Sequence, residues 1–132
     1  MAVVLDTCAW LWLCTASQKL SRAARDAVKR EQARGGLFVS IFSAWEIAKL
    51  VQKGKLTFAM PCRQWIDAAM RVEGVTVHPL TPEICVESTE LPGVFHGDPA
   101  DQIIVATARV LAVPVVTSDR KILEYVHVPT LW

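Results

Sequence analysis

The sequence has almost no surplus of charge. Fourteen lysines and arginines stand against 13 aspartates and glutamates, a formal net charge of +1. Without a global basic field, composition announces no nucleic-acid partner, and any such partner must be met by a local patch. A thiol metal motif is also missing. Cys8, Cys14, Cys62 and Cys85 form no CxxC pair, and His78, His96 and His127 stand at no ligand spacing from them. Buried, reduced thiols in a cytoplasmic protein are the expectation. No apolar run is long enough to cross a bilayer, so no membrane partner is expected. Met1 to Ala16 is the one stretch worth testing as a secretory leader. It has no cationic start and Asp6 interrupts it, so that reading is rejected. Repeats, low-complexity tracts and linkers are lacking too.

What the sequence does have is apolar substance. Hydrophobic residues make up 52% and the mean hydropathy is +0.32, which excludes disorder for the chain as a whole. At 132 residues there is room for one domain, 1–132, with one core. An interior of that size is limited, so part of the apolar excess is expected to face a partner or a second copy of the chain.

Strand and helix signals alternate. Ala2-Val-Val-Leu5 reads as a buried parallel strand that ends at Asp6, followed by a short helix from Thr7 to Leu13. Ser21 is placed to cap a helix to about Arg34, with Gly35-Gly36 as its stop. Leu37–Ser40 is the second strand. Ser43-Ala-Trp-Glu46 matches a capping box for a third helix to about Lys53, with Phe42 and Ile47 as its apolar staple. Pro61 opens a fourth helix, and Val75–Leu80 is the third strand. Thr81-Pro82 starts a short helix that ends near Leu91-Pro92. Asp98-Pro-Ala-Asp101 opens a long helix through Leu111, with Asp98 as its cap. Val113–Thr117 is the fourth strand, Asp119–Tyr125 a last helical turn, and Val128–Trp132 a closing strand. This order predicts an α/β fold, a three-layer α/β/α sandwich around a central, mostly parallel sheet.

Four acids then fall at one edge of that sheet. Asp6 ends the first strand, Asp119 follows the fourth, Glu46 is expected in the first turn of the third helix, and Asp101 in the first turn of the long helix. Ligands of open parallel sheets bind beyond the carboxyl ends of the strands. Two unit charges ~4 Å apart cost on the order of 4 kcal/mol at an effective dielectric of about 20. Such a group must take up protons or bind a cation. Oxygen donors select hard divalent ions such as Mg2+ or Mn2+, whose chemistry suits phosphodiester hydrolysis. Each acid also has a structural explanation. Glu46 fits the capping box, Asp98 and Asp101 suit a helix N-terminus, and Asp119 suits the start of the last helix. Asp6 is the hardest to explain by stability, since a charge after a buried strand seldom helps. Between Asp98 and Asp101, the first-turn residue is the one free to face the cleft, so Asp101 is the expected ligand and Asp98 a cap or supporting group.

Val3-Val-Leu-Asp6-Thr7, Ser43-Ala-Trp-Glu46-Ile47, Asp98-Pro-Ala-Asp101-Gln-Ile-Ile-Val-Ala106-Thr-Ala and Val116-Thr-Ser-Asp119-Arg, in this order, resemble the four signature blocks of PIN-domain nucleases. The VapC-like toxins of type II toxin–antitoxin systems are the branch they resemble most. That resemblance implies a Mg2+- or Mn2+-dependent endoribonuclease acting on single-stranded RNA, commonly a homodimer and silenced by a cognate antitoxin protein. Asp6, Glu46, Asp101 and Asp119 match the acidic quartet, and Thr117 or Ser118 is expected to hydrogen-bond the metal's waters. Gln102 stands where many relatives have arginine.

Lys49, Arg120 and Lys121 are the candidate phosphate contacts. Trp10, Trp45 and Trp65 are expected in the core or an interface rather than on RNA. Two other functions compete. A regulatory RNA-binding protein with this fold would keep the acids without cleaving. A phosphatase with an aspartyl nucleophile would want a second acid two residues beyond Asp6, where Cys8 stands.

Overall fold

The computed structural model describes residues 2–132. Five short strands, β1 (Val3–Leu5), β2 (Leu37–Ser40), β3 (Val75–His78), β4 (Val115–Val116) and β5 (Thr130–Leu131), form one sheet in the order β3-β2-β1-β4-β5. Every pairing is parallel, with Val4 opposite Phe38 on one side and Val115 on the other. Seven helices connect them: α1 (Thr7–Cys14), α2 (Arg22–Ala33), α3 (Ile41–Gln52), α4 (Cys62–Met70), α5 (Pro82–Thr89), α6 (Pro99–Leu111) and α7 (Arg120–Leu123).

The run of apolar residues in β1 has a direct cause. Successive side chains point to opposite faces, and both faces are covered. Val3 and Leu5 join Leu37, Val39 and Val116 in a core completed by Trp10, Val28, Ile47 and Ala69. Val4 and Val115 point the other way, onto Ile104, Val105 and Ala108 of α6 and Ile122 of α7. The result is the expected three-layer sandwich.

Capping signals set several boundaries where expected. Ser21 Oγ accepts from Ala24 N–H, Thr81 Oγ1 from Ile84 N–H, and Asp98 Oδ1 from the N–H groups of Ala100 and Asp101. The third helix is a correction. β2 runs into α3 without a loop, and Ser40, not Ser43, is the cap, its Oγ accepting from Phe42 N–H at 3.1 Å. Ser43 therefore lies inside the first turn, where it is buried and takes a 2.8 Å hydrogen bond from Thr7 Oγ1. Phe42 then lies inside α3 rather than ahead of its cap, so it does not staple the entry, and its ring stacks on Trp45 at 5.0 Å. Pro61 precedes its helix rather than opening it, with ψ of 142°. β3 stops at His78, before a proline that has no N–H to donate to the ladder. The cysteines are free, but Cys8 and Cys85 are exposed and Cys14 and Cys62 half-buried, so the expected burial does not hold.

One glycine is required by its surroundings. Gly74 turns α4 toward β3 with φ of +83°, and a Cβ there would lie 2.4 Å from the Gln32 carbonyl oxygen at the end of α2. Gly74→Ala should lower the unfolding free energy by about 2 kcal/mol or more, read as a lower urea midpoint. An unchanged midpoint would mean that the turn relaxes freely away from α2.

Candidate active site

Because all five strands run the same way, their carboxyl ends share one edge, and the order of connection reverses between β1 and β4. Asp6 and Thr117 leave those two strands at that point. Asp6 Oδ1 accepts from Ala9 N–H at 2.8 Å, so the residue caps α1. Its Oδ2 accepts from Thr117 Oγ1 at 2.5 Å, which ties the end of β1 to the end of β4. Thr117 Oγ1 in turn accepts from Asp119 N–H at 3.0 Å. The threonine hydroxyl thus gives its proton to the Asp6 carboxylate while accepting from the start of α7. Ser118 lies half-buried beside it, on the turn into α7.

Asp6 is 7% exposed. Burial pushes its carboxyl up from 3.8 to about 6, against the opposing pull of its hydrogen bonds from Thr117 and Ala9, with the charges of Asp119 and Glu46 adding to the rise. Asp101, third residue of α6, is pushed further, to about 7, first by burial and then by the charges of Asp98, Asp119, Glu46 and Asp6. Glu46 is raised as well, by burial and by Asp98 and Asp119, while the nearby Thr7 hydroxyl favours its charged form. Since α3 starts at Ile41, Glu46 lies in the second turn and not the first. Asp119 caps α7, with its Oδ1 accepting from Lys121 N–H at 2.8 Å. Cys8 is exposed as a whole residue, but its thiol is partly desolvated and feels the combined field: desolvation comes first, then Asp6, Glu46, Asp101 and Asp119, and together they push it up to about 11.

The acids are therefore within electrostatic range of one another without closing on a point. Among the described residues, no three His, Cys, Asp or Glu side chains form a group that could hold a metal ion by themselves. The donor chemistry fits a hard divalent cation all the same. The donors are carboxylate oxygens, their mutual repulsion and burial disfavour the charged forms, and Mg2+ keeps several waters while taking few carboxylates.

The candidate phosphate contacts and the tryptophans are placed as follows. Lys49 Nζ sits 5.4 Å over the Trp45 ring and 3.0 Å from Gln52 Oε1. Arg120 pairs with Glu124 at 3.1 Å on the open surface, and Lys121 is exposed. Trp10 is fully buried as expected, and Trp65 stacks on Phe58 at 4.1 Å. Trp45 is 52% exposed, which leaves it out of the core and, of the two expected places, leaves an interface. Sequence reasoning also missed His96, whose Nε2 lies 3.1 Å from Asp101 Oδ2. A single histidine in a loop of Gly and Asp carries no periodic or spacing signal that would have marked it.

A three-layer parallel α/β sandwich with acidic residues beyond the ends of its central strands is the PIN-like class of fold. The family model described as "PIN domain" matches residues 3–128, and the chain belongs to that family. It is similar to Ribonuclease VapC22 of Mycobacterium tuberculosis, with 32% identity over 125 residues, 95% of this chain and 92% of that protein. Solved structures share the fold at low identity. VapBC2 of Rickettsia felis, bound to a DNA fragment from its promoter, has a TM-score of 0.71 at 14% identity, covering 98% of this chain and 97% of that one. VapBC-1 of nontypeable Haemophilus influenzae has a TM-score of 0.66 at 18% identity, covering 98% and 96%. No helix among the described residues is long and apolar enough to cross a membrane.

Proposed function

We propose that this protein is a Mg2+- or Mn2+-dependent endoribonuclease that cleaves single-stranded RNA, the toxin of a toxin–antitoxin pair. The observation that carries the reading is the acidic edge at the β1/β4 reversal. There Thr117 ties Asp6 to the end of β4, and the carboxyls of Asp6, Glu46 and Asp101, from three separate stretches of chain, are close enough for their charges to interact. Capping explains Asp6 singly, but crowding the three charges together costs stability. A bound divalent cation supplies a reason to gather them, and when bound it neutralises phosphate charge and activates water. The similarity to Ribonuclease VapC22 supports the same reading.

In this mechanism Asp6, held on both oxygens by Ala9 N–H and Thr117 Oγ1, is a fixed oxygen donor. Asp101 and Asp119 approach from the N-termini of α6 and α7 and complete the acidic edge. Glu46, half-buried and raised, is suited to hold or accept a proton beside it. Lys49 and Lys121 border the edge as contacts for backbone phosphates, and Arg120 joins them once it gives up its exposed pair with Glu124. Silencing by a cognate antitoxin accompanies this reading, supported by the VapBC structures that share the fold, and action in the cytoplasm is part of the same proposal. A homodimer is part of it too, and exposed apolar residues such as Trp45 and Val126 suit a covered face.

Purified protein should cleave single-stranded RNA when Mn2+ or Mg2+ is added and stop when a chelator is added, as followed on a labelled oligonucleotide. RNA binding without any cleavage under these conditions would instead favour a regulatory binding protein.

A further inference from the structure

We propose that His96 is a positioning residue for Asp101, its Nε2–H holding one carboxylate oxygen so that the side chain is oriented for a divalent cation. The inference rests on the reading of Asp101 as a ligand, and goes beyond it by naming what sets that ligand's direction.

The tautomer follows from the neighbours. His96 Nδ1 lies 3.3 Å from Asp98 N–H, a group that can only donate, so Nδ1 accepts and the proton of the neutral ring is on Nε2. Nε2 is 3.1 Å from Asp101 Oδ2. It is shielded from solvent and makes no well-aligned hydrogen bond. The N–H therefore stands at bonding distance from the carboxylate and off its line, and the terminal torsion of an aspartate is broad, so that the carboxylate can turn toward it.

The ring is held in place from several sides. Phe95 packs against it at 4.4 Å between centroids. The His96 carbonyl accepts from Gln102 Nε2 at 3.0 Å, which pins the loop to the first turns of α6. Further back in the loop, the Pro92 carbonyl accepts from Tyr125 Oη at 2.5 Å. Gln102, the neighbour of Asp101, thus uses its amide on the loop and leaves the carboxylate to the imidazole. A ring held in this way offers a fixed donor to the oxygen it faces, and loss of a group that orients a metal ligand typically costs about 10- to 100-fold in metal affinity.

The test is Mn2+ binding to the full chain, followed by calorimetry and by the electron paramagnetic resonance signal of free Mn2+. His96→Phe keeps a ring against Phe95 and removes the donor. It should weaken Mn2+ binding about 10-fold or more, lower kcat on RNA with KM unchanged, and leave the melting temperature in place. His96→Gln, whose amide N–H reaches about as far as Nε2, should bind Mn2+ within about threefold of the unsubstituted protein. His96→Asn, too short to reach Asp101, should be as weak as His96→Phe and decides the matter if the phenylalanine variant does not fold. Unchanged Mn2+ affinity in His96→Phe or His96→Asn overturns the proposal, and so does a glutamine variant as weak as these. If Asp101→Asn loses Mn2+ binding while the His96 variants keep it, the positioning role alone falls. If the unsubstituted protein binds no Mn2+, the metal-dependent function falls with it.

Discussion

Asp101→Asn is expected to lower RNA cleavage by about three orders of magnitude, on the order of 4 kcal/mol of transition-state stabilisation, and to raise the melting temperature of the metal-free protein. The two effects share a cause. The Asp101 carboxyl is pushed up from 3.8 to about 7 by burial and by Asp98, Asp119, Glu46 and Asp6. A group whose folded value lies above its unfolded one costs the fold nothing at pH below both values. The cost grows as pH rises from the unfolded value of 3.8 to about 7, and it stays in full above that. Asparagine removes the charge, so the melting temperature of the variant should exceed that of the unsubstituted protein at pH 8 and converge with it near pH 4. Added Mn2+ should close the gap at pH 8 by stabilising the unsubstituted protein alone. Single-turnover cleavage and thermal melts across pH measure both halves. A variant that cleaves normally, or that melts lower at pH 8, would remove Asp101 from the proposed site.

Trp10→Ala should cost about 3–5 kcal/mol, a large part of the stability of a small domain. Trp10 is completely buried at the centre of the α1 side of the sheet, and its Nε1–H donates to the Ala69 carbonyl at 3.3 Å. Truncation leaves both a cavity and an unpaired carbonyl. Trp10→Phe refills most of the volume and loses only the hydrogen bond, so a loss of about 1–2 kcal/mol is expected. Urea unfolding separates the two. The alanine variant should fall well below the phenylalanine one, and equal midpoints would show that the pocket collapses around a smaller side chain. Trp10 lies on the helix that Asp6 caps, so cleavage measured below the unfolding transition tests whether the core reaches the acidic edge.

Much of the architecture was legible because it follows from local rules. The Val3–Leu5 run, apolar at consecutive positions, is what a strand covered on both faces requires. Ser21, Thr81 and Asp98 cap their helices because short polar side chains satisfy first-turn N–H groups that have no other partner. The position of Asp6 just beyond a strand, and of Asp101 inside the first turn of α6, followed from the same signals. Where an element boundary depended on its neighbour, local reasoning chose wrongly. A capping box is expected to start at Ser43, but β2 passes directly into α3 and Ser40 is the cap, which moves Glu46 one turn along. Trp45 is expected in the core or an interface by type, and only its place on α3, half open to solvent, takes it out of the core.

The order of apolar and capping residues along the chain determines by itself that strands and helices alternate, and that acidic residues follow strand ends, because these depend on interactions a few residues apart. Tertiary structure alone decides that Thr117 ties Asp6 to the β4 end, that Cys8 lies in the field of four carboxylates, and that His96 stands against Asp101. Contacts between distant segments depend on how helices pack on the sheet. Burial and Coulomb interaction act through space, and no spacing along the chain encodes them.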